Sequence, residues 1–260
     1  MRKLIAFLLT LTLIFSMSAA LADDLLDTVT ARGKLIIGTE GNWAPWTYHD
    51  ESDALVGFDV EVARAVAAKL GVEVEFVECP WESIFMGIDN KMYDTTANGV
   101  EVTEDRAEKY DFSTPYAYLR TVLIVRGDND SITSFEDLKG KRTANSAGST
   151  YALTAEEYGA ETVIVSTLAQ TLDLVISGSA DATLNAELSF YDYMKEHPDA
   201  NLKIVAALEE NSPVIMPVRK GEENASFLAA INQAIEELRA DGTLKAISEK
   251  YFDGDITSEQ

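Results

Sequence analysis

The sequence has few cysteines and histidines, and each shortage excludes a class of site. One Cys among 260 residues excludes an internal disulfide framework and a zinc site built on several thiolates. Neither His has a partner nearby at the spacing of metal ligands. The sequence also lacks a phosphate loop, a Gly-x-Ser-x-Gly elbow and a His-Glu-x-x-His motif. We therefore expect no metal, no cofactor and no catalytic residues.

Basic residues are also scarce. Lys and Arg number 21 against 44 Asp and Glu, which gives a formal net charge of −23. Phosphate contacts need clustered Lys and Arg, so this balance argues against nucleic acid as a partner. The hydrophobic fraction of 47% and the charged fraction of 25% are those of a globular protein and exclude a disordered or fibrous chain.

A long apolar run occurs only at the start of the chain. Arg2 and Lys3 precede an apolar run over 4–15, and the small residues Ala20 and Ala22 then suggest a cleavage site. This pattern predicts a secretory signal peptide over 1–22. The run has 12 residues, whereas a membrane span needs about 20. No Cys stands near the cleavage site to carry a lipid, so we expect an unanchored protein in the periplasm.

After this segment, short apolar strands alternate with amphipathic helices. Residues 34–38 and the alternating residues 72–76 predict strands, and the helical spacing of apolar residues over 59–70 and 225–240 predicts helices. Such alternation is typical of an α/β protein with mostly parallel sheets. The sequence has no Pro- or Gly-rich linker, so short crossovers would join any two domains.

Aromatic residues follow two of the predicted strands. Trp43, Trp46 and Tyr48 come soon after the first strand, and Trp81 comes soon after the strand at 72–76. Ligands of open α/β sheets bind at the carboxyl ends of the strands. The aromatic residues therefore indicate either a binding site or ordinary packing, and sequence alone leaves both interpretations open.

A series of motifs across the chain resembles a known family. In order they are an aromatic-Pro loop at 43–46, Gly-Phe-Asp-Val at 57–60, Thr103-x-x-Arg106 followed by Asp-Phe-Ser-x-Pro-Tyr at 111–116, Asp-Leu-Lys-Gly-Lys at 137–141, Gly-Ser-Thr at 148–150, Gly-x-Ala-Asp-Ala at 178–182, and Asp-Gly-Thr-Leu at 241–244. Together they resemble the polar amino acid-binding proteins of bacterial ABC importers, solute-binding protein family 3.

The resemblance implies a type II periplasmic binding protein fold, with two α/β lobes of mostly parallel sheets joined by two hinge crossovers. Lobe 1 would comprise 23–117 and 213–260, and lobe 2 would comprise 118–212. A small amino acid would bind in the cleft, and the lobes would close on it. The closed protein, expected to be a monomer without enzymatic activity, would then dock on an ABC permease.

The resemblance also implies the site. Arg106 offers the planar fork that suits a ligand α-carboxylate, although it could instead pair with a neighbouring acidic residue. Ser149 and Thr150 would add donors to that carboxylate or would simply cap a helix. Trp43 and Trp81 match positions where aromatic rings hold the ligand side chain. The full set of candidate ligand-binding residues is Glu40, Trp43, Trp81, Asn98, Gly99, Glu101, Arg106, Ser149, Thr150 and Asn185.

Two positions depart from the family pattern. Ala186 stands where the family usually has the Asp that binds the ligand ammonium, and Glu101 stands where it usually has Ser or Thr. Our hypothesis is that Glu101, helped by Asn185, replaces the lost ammonium partner. Alternatively, Glu101 neutralises Arg106 and the ligand has no ordinary α-carboxylate. A third possibility is that Glu187 turns into the cleft.

The identity of the ligand stays open at this point. Glu40 matches a position that in some relatives contacts a polar side chain, so it could select a basic or amide group. The two Trp residues also permit a larger ligand such as cystine or an aromatic amino acid. Two rival functions are a periplasmic dehydratase of arogenate or prephenate on the same scaffold and a sensory partner that presents the ligand to a membrane receptor.

Overall fold

The computed structural model describes residues 24–259, and the predicted signal peptide lies outside them. In this part of the chain the α-helices are α1 Leu25–Arg32, α2 Phe58–Lys69, α3 Ile84–Asp89, α4 Glu104–Lys109, α5 Thr150–Glu157, α6 Leu168–Ser177, α7 Glu187–Glu196, α8 Ala225–Ala240 and α9 Thr243–Phe252. The strands are β1 Lys34–Thr39, β2 Asn42–Trp43, β3 Thr47–His49, β4 Leu55–Val56, β5 Glu73–Glu78, β6 Thr95–Thr96, β7 Tyr110–Phe112, β8 Ala117–Leu119, β9 Thr121–Arg126, β10 Arg142–Asn145, β11 Glu161–Ile164, β12 Ala182–Ala186, β13 Leu202–Ala207, β14 Ser212–Val214 and β15 Pro217–Arg219.

Lobe 1 is organised around a parallel sheet with the strand order β5-β1-β6. Leu35 and Ile37 of β1 are fully buried, and they belong to the same apolar core as Val62 of α2 and Ile231 of α8. The apolar stripes of α2 and α8 read from sequence therefore face this core, and their burial stabilises the lobe.

Lobe 2 contains a five-stranded sheet with the order β11-β10-β12-β9-β13. Strand β10 is parallel to β11 and β12, whereas β9 is antiparallel to both β12 and β13. The sheet is therefore mixed, and β9 is the strand that runs against the others. This refines the expectation of mostly parallel sheets, and the reason is that β9 enters the lobe directly from the first crossover.

The crossovers between the lobes are two short antiparallel ladders. Strand β7 pairs with β15, and β8 pairs with β14, with Leu119 opposite Ser212. The expected fold of two α/β lobes with a cleft between them is confirmed. The lobe boundaries that we placed at 117/118 and 212/213 fall inside the β8–β14 ladder, and they stay a prediction. None of the helices within residues 24–259 combines the length and apolar character of a membrane span.

Candidate functional site

A cavity lies between the two lobes and encloses about 530 Å³ of empty space, part of it open to solvent. Nine of the ten residues predicted from the sequence line it. From lobe 1 these are Glu40, Trp43, Trp81, Asn98, Gly99 and Glu101. From lobe 2 they are Ser149, Thr150 and Asn185.

The carboxyl ends of the parallel strands supply this lining. Glu40 follows β1, the segment 98–101 follows β6, and Asn185 lies at the end of β12. Parallel strands that end at one edge of a sheet bring their following loops together, which is why residues distant in sequence meet here.

Gly99 fits the aromatic wall because it has no side chain. Its φ is +55°, and a Cβ atom would lie 2.4 Å from a ring carbon of Trp43. Its N–H donates a 2.6 Å hydrogen bond to Asp59, a buried carboxyl whose pKa burial raises to about 7. The Trp43 ring stacks on Trp46 with centroids 5.3 Å apart. The backbone at Gly99 therefore sets the position of the indole.

Glu40 is held by Asn98 within lobe 1. The Asn98 Nδ2 donates to Glu40 Oε2 at 2.7 Å, and the Glu40 backbone N–H donates to Asn98 Oδ1 at 2.8 Å. Burial raises the pKa of the Glu40 carboxyl to about 7, against the opposing effect of the Asn98 hydrogen bond. The hydrogen bonds therefore fix the position of this carboxyl, and a positive group in the cavity would stabilise its ionised form.

Glu101 is a second buried carboxyl in the same cavity, with 5% of its surface exposed. The Thr150 hydroxyl, from the opposite lobe, donates to its Oε1. Burial raises the pKa of Glu101, and the hydrogen bonds from Thr150 and Ser212 and the nearby charge of Arg106 act against this rise. The site thus keeps a carboxyl at the point where the two lobes meet.

We expected Arg106 to line the cavity, but the structure places it outside the lining. The residue is buried, with 7% of its surface exposed. Its Nη1 donates to the Glu101 carbonyl at 2.7 Å and its Nη2 donates to the Gly148 carbonyl of lobe 2 at 3.1 Å. The guanidinium lies 5.2 Å from the Trp81 ring centroid and 4.8 Å from that of Phe85. The two carbonyl bonds and the two rings hold it beside the cavity wall.

Arg106 has no ion pair with a neighbouring acidic side chain among residues 24–259. The interpretation in which Glu101 neutralises Arg106 by direct pairing therefore finds no support in this geometry. Two of the five guanidinium N–H groups bind the carbonyls, which leaves donors for an incoming carboxylate.

Ser149 caps helix α5. Its Oγ accepts from the Ala152 N–H at 3.1 Å and donates to the Ser146 carbonyl at 2.8 Å. The capping role considered from sequence is present, and Thr150, the first residue of the same helix, donates to Glu101 across the cleft. Donation by these residues to a ligand carboxylate stays a prediction.

Glu187, by contrast, does not line this cavity. It is the first residue of α7, and it accepts a 3.3 Å hydrogen bond from Tyr191 one turn later. It lines a different cavity beside the crossovers. Of the two Glu residues considered as substitutes for the Asp missing at Ala186, only Glu101 is placed in the cleft.

Several side-chain hydrogen bonds join the lobes across the cleft. Besides the contacts of Thr150 with Glu101 and of Arg106 with Gly148, the Trp43 Nε1 donates to Asn185 Oδ1 at 3.1 Å. At the rim, the Ser166 hydroxyl donates to Glu82 Oε1 at 3.2 Å. The structure is therefore that of closed lobes.

Sequence reasoning missed part of the lining. The missed residues are Asn42, Asn145, Ser146, Tyr151, Ser166, Leu168 and Thr171. Asn145 and Ser146 end and follow β10, and Ser166 follows β11, so the rule that ligands bind at the carboxyl ends of strands would have found them. Within the described residues, no cluster of three His, Cys, Asp or Glu side chains is placed to hold a metal.

Two lobes around a polar cleft are typical of solute-binding proteins, and comparison with known proteins gives the family. Residues 35–254 match the Bacterial extracellular solute-binding proteins, family 3. The chain belongs to this family, so the predicted solute-binding role is confirmed, and the family places the protein outside the cytoplasm.

Individual relatives are similar over most of their length. A probable amino-acid ABC transporter-binding protein of Haemophilus influenzae is 43% identical over 236 residues, 91% of each chain. The L-cystine-binding protein TcyA of Bacillus subtilis is 39% identical over 90% of this chain and 87% of its own. The L-cystine solute receptor of Neisseria gonorrhoeae, solved in an unliganded open conformation, is 42% identical over 90% of this chain and 99% of its own, with a TM-score of 0.60.

Proposed function

We propose that this protein captures a free amino acid, L-cystine in the first place, and delivers it to the permease of an ABC importer. The observation that carries the proposal is a buried carboxyl, Glu101, and a buried guanidinium, Arg106, side by side at the cleft without an ion pair between them. The names of the relatives support both the ligand and the importer.

This pair of charges matches a zwitterion. A buried ammonium and a buried carboxylate each need an opposite charge or several hydrogen bonds, because the cost of desolvation is otherwise several kcal/mol. Glu101 would take the ligand ammonium. The Asn185 Oδ1 on the facing lobe already accepts from Trp43 Nε1 and from the Ala186 N–H, so Asn185 would position the indole rather than bind the ammonium. The ammonium would in turn lower the pKa of Glu101, which burial now raises.

Arg106 and helix α5 would hold the α-carboxylate. The guanidinium donates to the carbonyl of Gly148, one residue before the Ser149 cap. A carboxylate placed between them would meet both the fork of the arginine and the N–H groups of the first helical turn. Trp43 and Trp81 would then contact the aliphatic part of the ligand.

The rest of the proposal concerns the setting of the site. Residues 1–22 would direct export, and the protein would act as a monomer in the periplasm. We assign no catalytic residue and no cofactor, and the relatives described above carry names of binding proteins rather than of enzymes.

A ligand screen tests the proposal. Purified protein is melted in the presence of each of the twenty amino acids, L-cystine and polyamines, and hits are measured by calorimetry. L-cystine at about 100 times its Kd should stabilise the folded state by about 2.7 kcal/mol. Stabilisation by polyamines alone, or by no amino acid, would contradict the proposal. Turnover of prephenate, followed by ultraviolet absorbance, would instead show the dehydratase.

A further inference from the structure

Asn145 places a buried amide in the lobe 2 wall of the cleft. It is the last residue of β10, only 1% of it is exposed, and it lines the same cavity as Glu40 and Glu101. Its Nδ2 donates to the Leu184 carbonyl at 2.8 Å and to the Thr183 hydroxyl oxygen at 3.3 Å. Both contacts lie within the sheet.

These contacts fix which way the amide faces. The Thr183 hydroxyl donates its own proton to the Ala144 carbonyl at 2.7 Å, so toward Asn145 it is an acceptor. Two acceptors on one side require the NH₂ group of Asn145 there, and a flipped amide would place its oxygen against two oxygens. The orientation of the Asn145 side chain is thus determined by the surrounding hydrogen bonds.

The amide oxygen is then left over. Asn145 Oδ1 is buried and has no hydrogen-bond partner within residues 24–259. Buried polar atoms in proteins nearly always have a partner, and an exception in the wall of a binding cleft indicates an acceptor meant for the ligand. A group that satisfies this oxygen must carry an N–H or O–H.

The charges of the cavity lining favour one kind of ligand donor, a charged N–H group, over a neutral N–H or O–H group. Its lining includes the carboxyls of Glu40 and Glu101 and contains no Lys or Arg among the described residues. In our proposal Glu101 takes the α-ammonium. The other carboxyl of the lining, Glu40, and the unpaired oxygen Asn145 Oδ1 then favour a second, positively charged nitrogen on the ligand.

We infer that Asn145 Oδ1 is a specificity determinant that accepts a hydrogen bond from a nitrogen at the far end of the ligand side chain. For L-cystine this nitrogen is the second amino group. The inference rests on the proposed amino acid function and assigns the distal nitrogen to an acceptor from lobe 2, opposite Glu40 of lobe 1.

Calorimetry with Asn145→Ala tests the inference, using L-cystine and, as a probe without a distal nitrogen, L-methionine. Loss of a hydrogen bond to a charged group should weaken L-cystine binding about tenfold or more. L-methionine binding should change less than twofold. Thr143→Ala is the matched control, because Thr143 is buried on the same strand as Asn145 but lies outside the cavity lining.

Asn145→Ala also removes the bond to the Leu184 carbonyl, so melting curves must show that the variant folds. Asn145→Leu, which keeps most of the volume, serves as the second variant. L-cystine affinity within twofold of the wild type in either folded variant would overturn the inference, as would an equal loss for both probes. Failure of the wild-type protein to bind any amino acid would overturn the proposed function and this inference with it.

Discussion

The two walls of the cleft differ in chemistry and in what holds them. The lobe 1 wall carries both carboxyls and both indoles, and Glu40 is fixed there by hydrogen bonds with Asn98 of the same lobe. The lobe 2 wall is neutral, and its polar groups Thr150 and Asn185 bond across the cleft. In our proposal the lobe 1 wall therefore recognises the charged groups of the ligand, whereas the polar groups of the lobe 2 wall form their hydrogen bonds when the lobes close.

This division has an energetic consequence. Charged groups held rigidly in lobe 1 need little rearrangement when a zwitterion arrives, so their contribution to affinity is large. A neutral hydrogen bond across the cleft stabilises the closed form by only about 0.5–1.5 kcal/mol net. The lobes can therefore reopen and let the ligand dissociate. Substitutions in the lobe 1 wall should therefore weaken ligand binding more than substitutions that remove a neutral hydrogen bond of lobe 2.

Removal of the buried guanidinium should have the largest effect. Arg106→Ala is expected to weaken binding of L-cystine by about 100-fold or more, because truncating one member of a buried charge pair costs about 3–5 kcal/mol. Calorimetry measures the loss. Arg64→Ala is the control, since Arg64 is a lobe 1 arginine that lies over Phe76, away from the cleft. Unchanged binding by a folded Arg106→Ala variant would contradict the proposal that Arg106 holds the ligand α-carboxylate.

The next largest effect should come from Glu101, the carboxyl that we propose as the partner of the ligand ammonium. Glu101→Gln is expected to weaken amino acid binding about tenfold to 100-fold, because the ligand ammonium loses its opposite charge. Glu187→Gln is the matched control and should bind like the wild type, since Glu187 lies outside the cleft. Equal affinity of Glu101→Gln and wild type would reject the assignment of Glu101.

A pH titration separates Glu40 from the rest of lobe 1. Its pKa is raised to about 7 by burial, and a bound ammonium favours the ionised form, so affinity should fall as pH drops. From pH 8 to pH 6 the loss for L-cystine should be about tenfold by proton linkage. Calorimetry at several pH values should show a flatter profile for Glu40→Gln. The same slope in both proteins would show that another group titrates.

The smallest effect should come from the rim of the cleft. Ser166→Ala removes the 3.2 Å hydrogen bond to Glu82, and we expect less than a threefold loss of affinity, because both side chains are solvated there. The loss should lie in faster dissociation, measured by stopped-flow fluorescence. Ser177→Ala, whose hydroxyl bonds only within lobe 2, is the control. A large loss would mean that the rim contributes more than the neutral wall.

Local sequence signals predicted the elements well. The apolar spacing gave the bounds of α8 as Ala225–Ala240, which the structure reproduces. Helix α6 ends where Gly178 adopts the left-handed conformation, with φ +75°, which glycine accepts readily. The reversed direction of β9 was not predictable in this way, because it depends on how the crossover enters lobe 2.

Site residues that belong to a sequence motif could be predicted, whereas residues whose role depends on their hydrogen-bond partners in the fold could not. The motif Thr103-x-x-Arg106 pointed to Arg106, but its two carbonyl acceptors come from folding and place it beside the cavity rather than in its lining. Asn145 gave no motif at all. Its significance comes from Thr183 and Leu184 on a neighbouring strand, which no local pattern reveals.

The sequence by itself determined the family, the alternation of strands and helices, and the presence of Ala at position 186 and of Glu at position 101. These are local properties of residue type and spacing. Only the tertiary structure placed Glu101 in the cleft and Glu187 outside it, and only it showed, among residues 24–259, a buried amide oxygen without a partner. Burial and hydrogen-bond satisfaction depend on atoms from distant segments, and those meet only when the two lobes pack across the cleft.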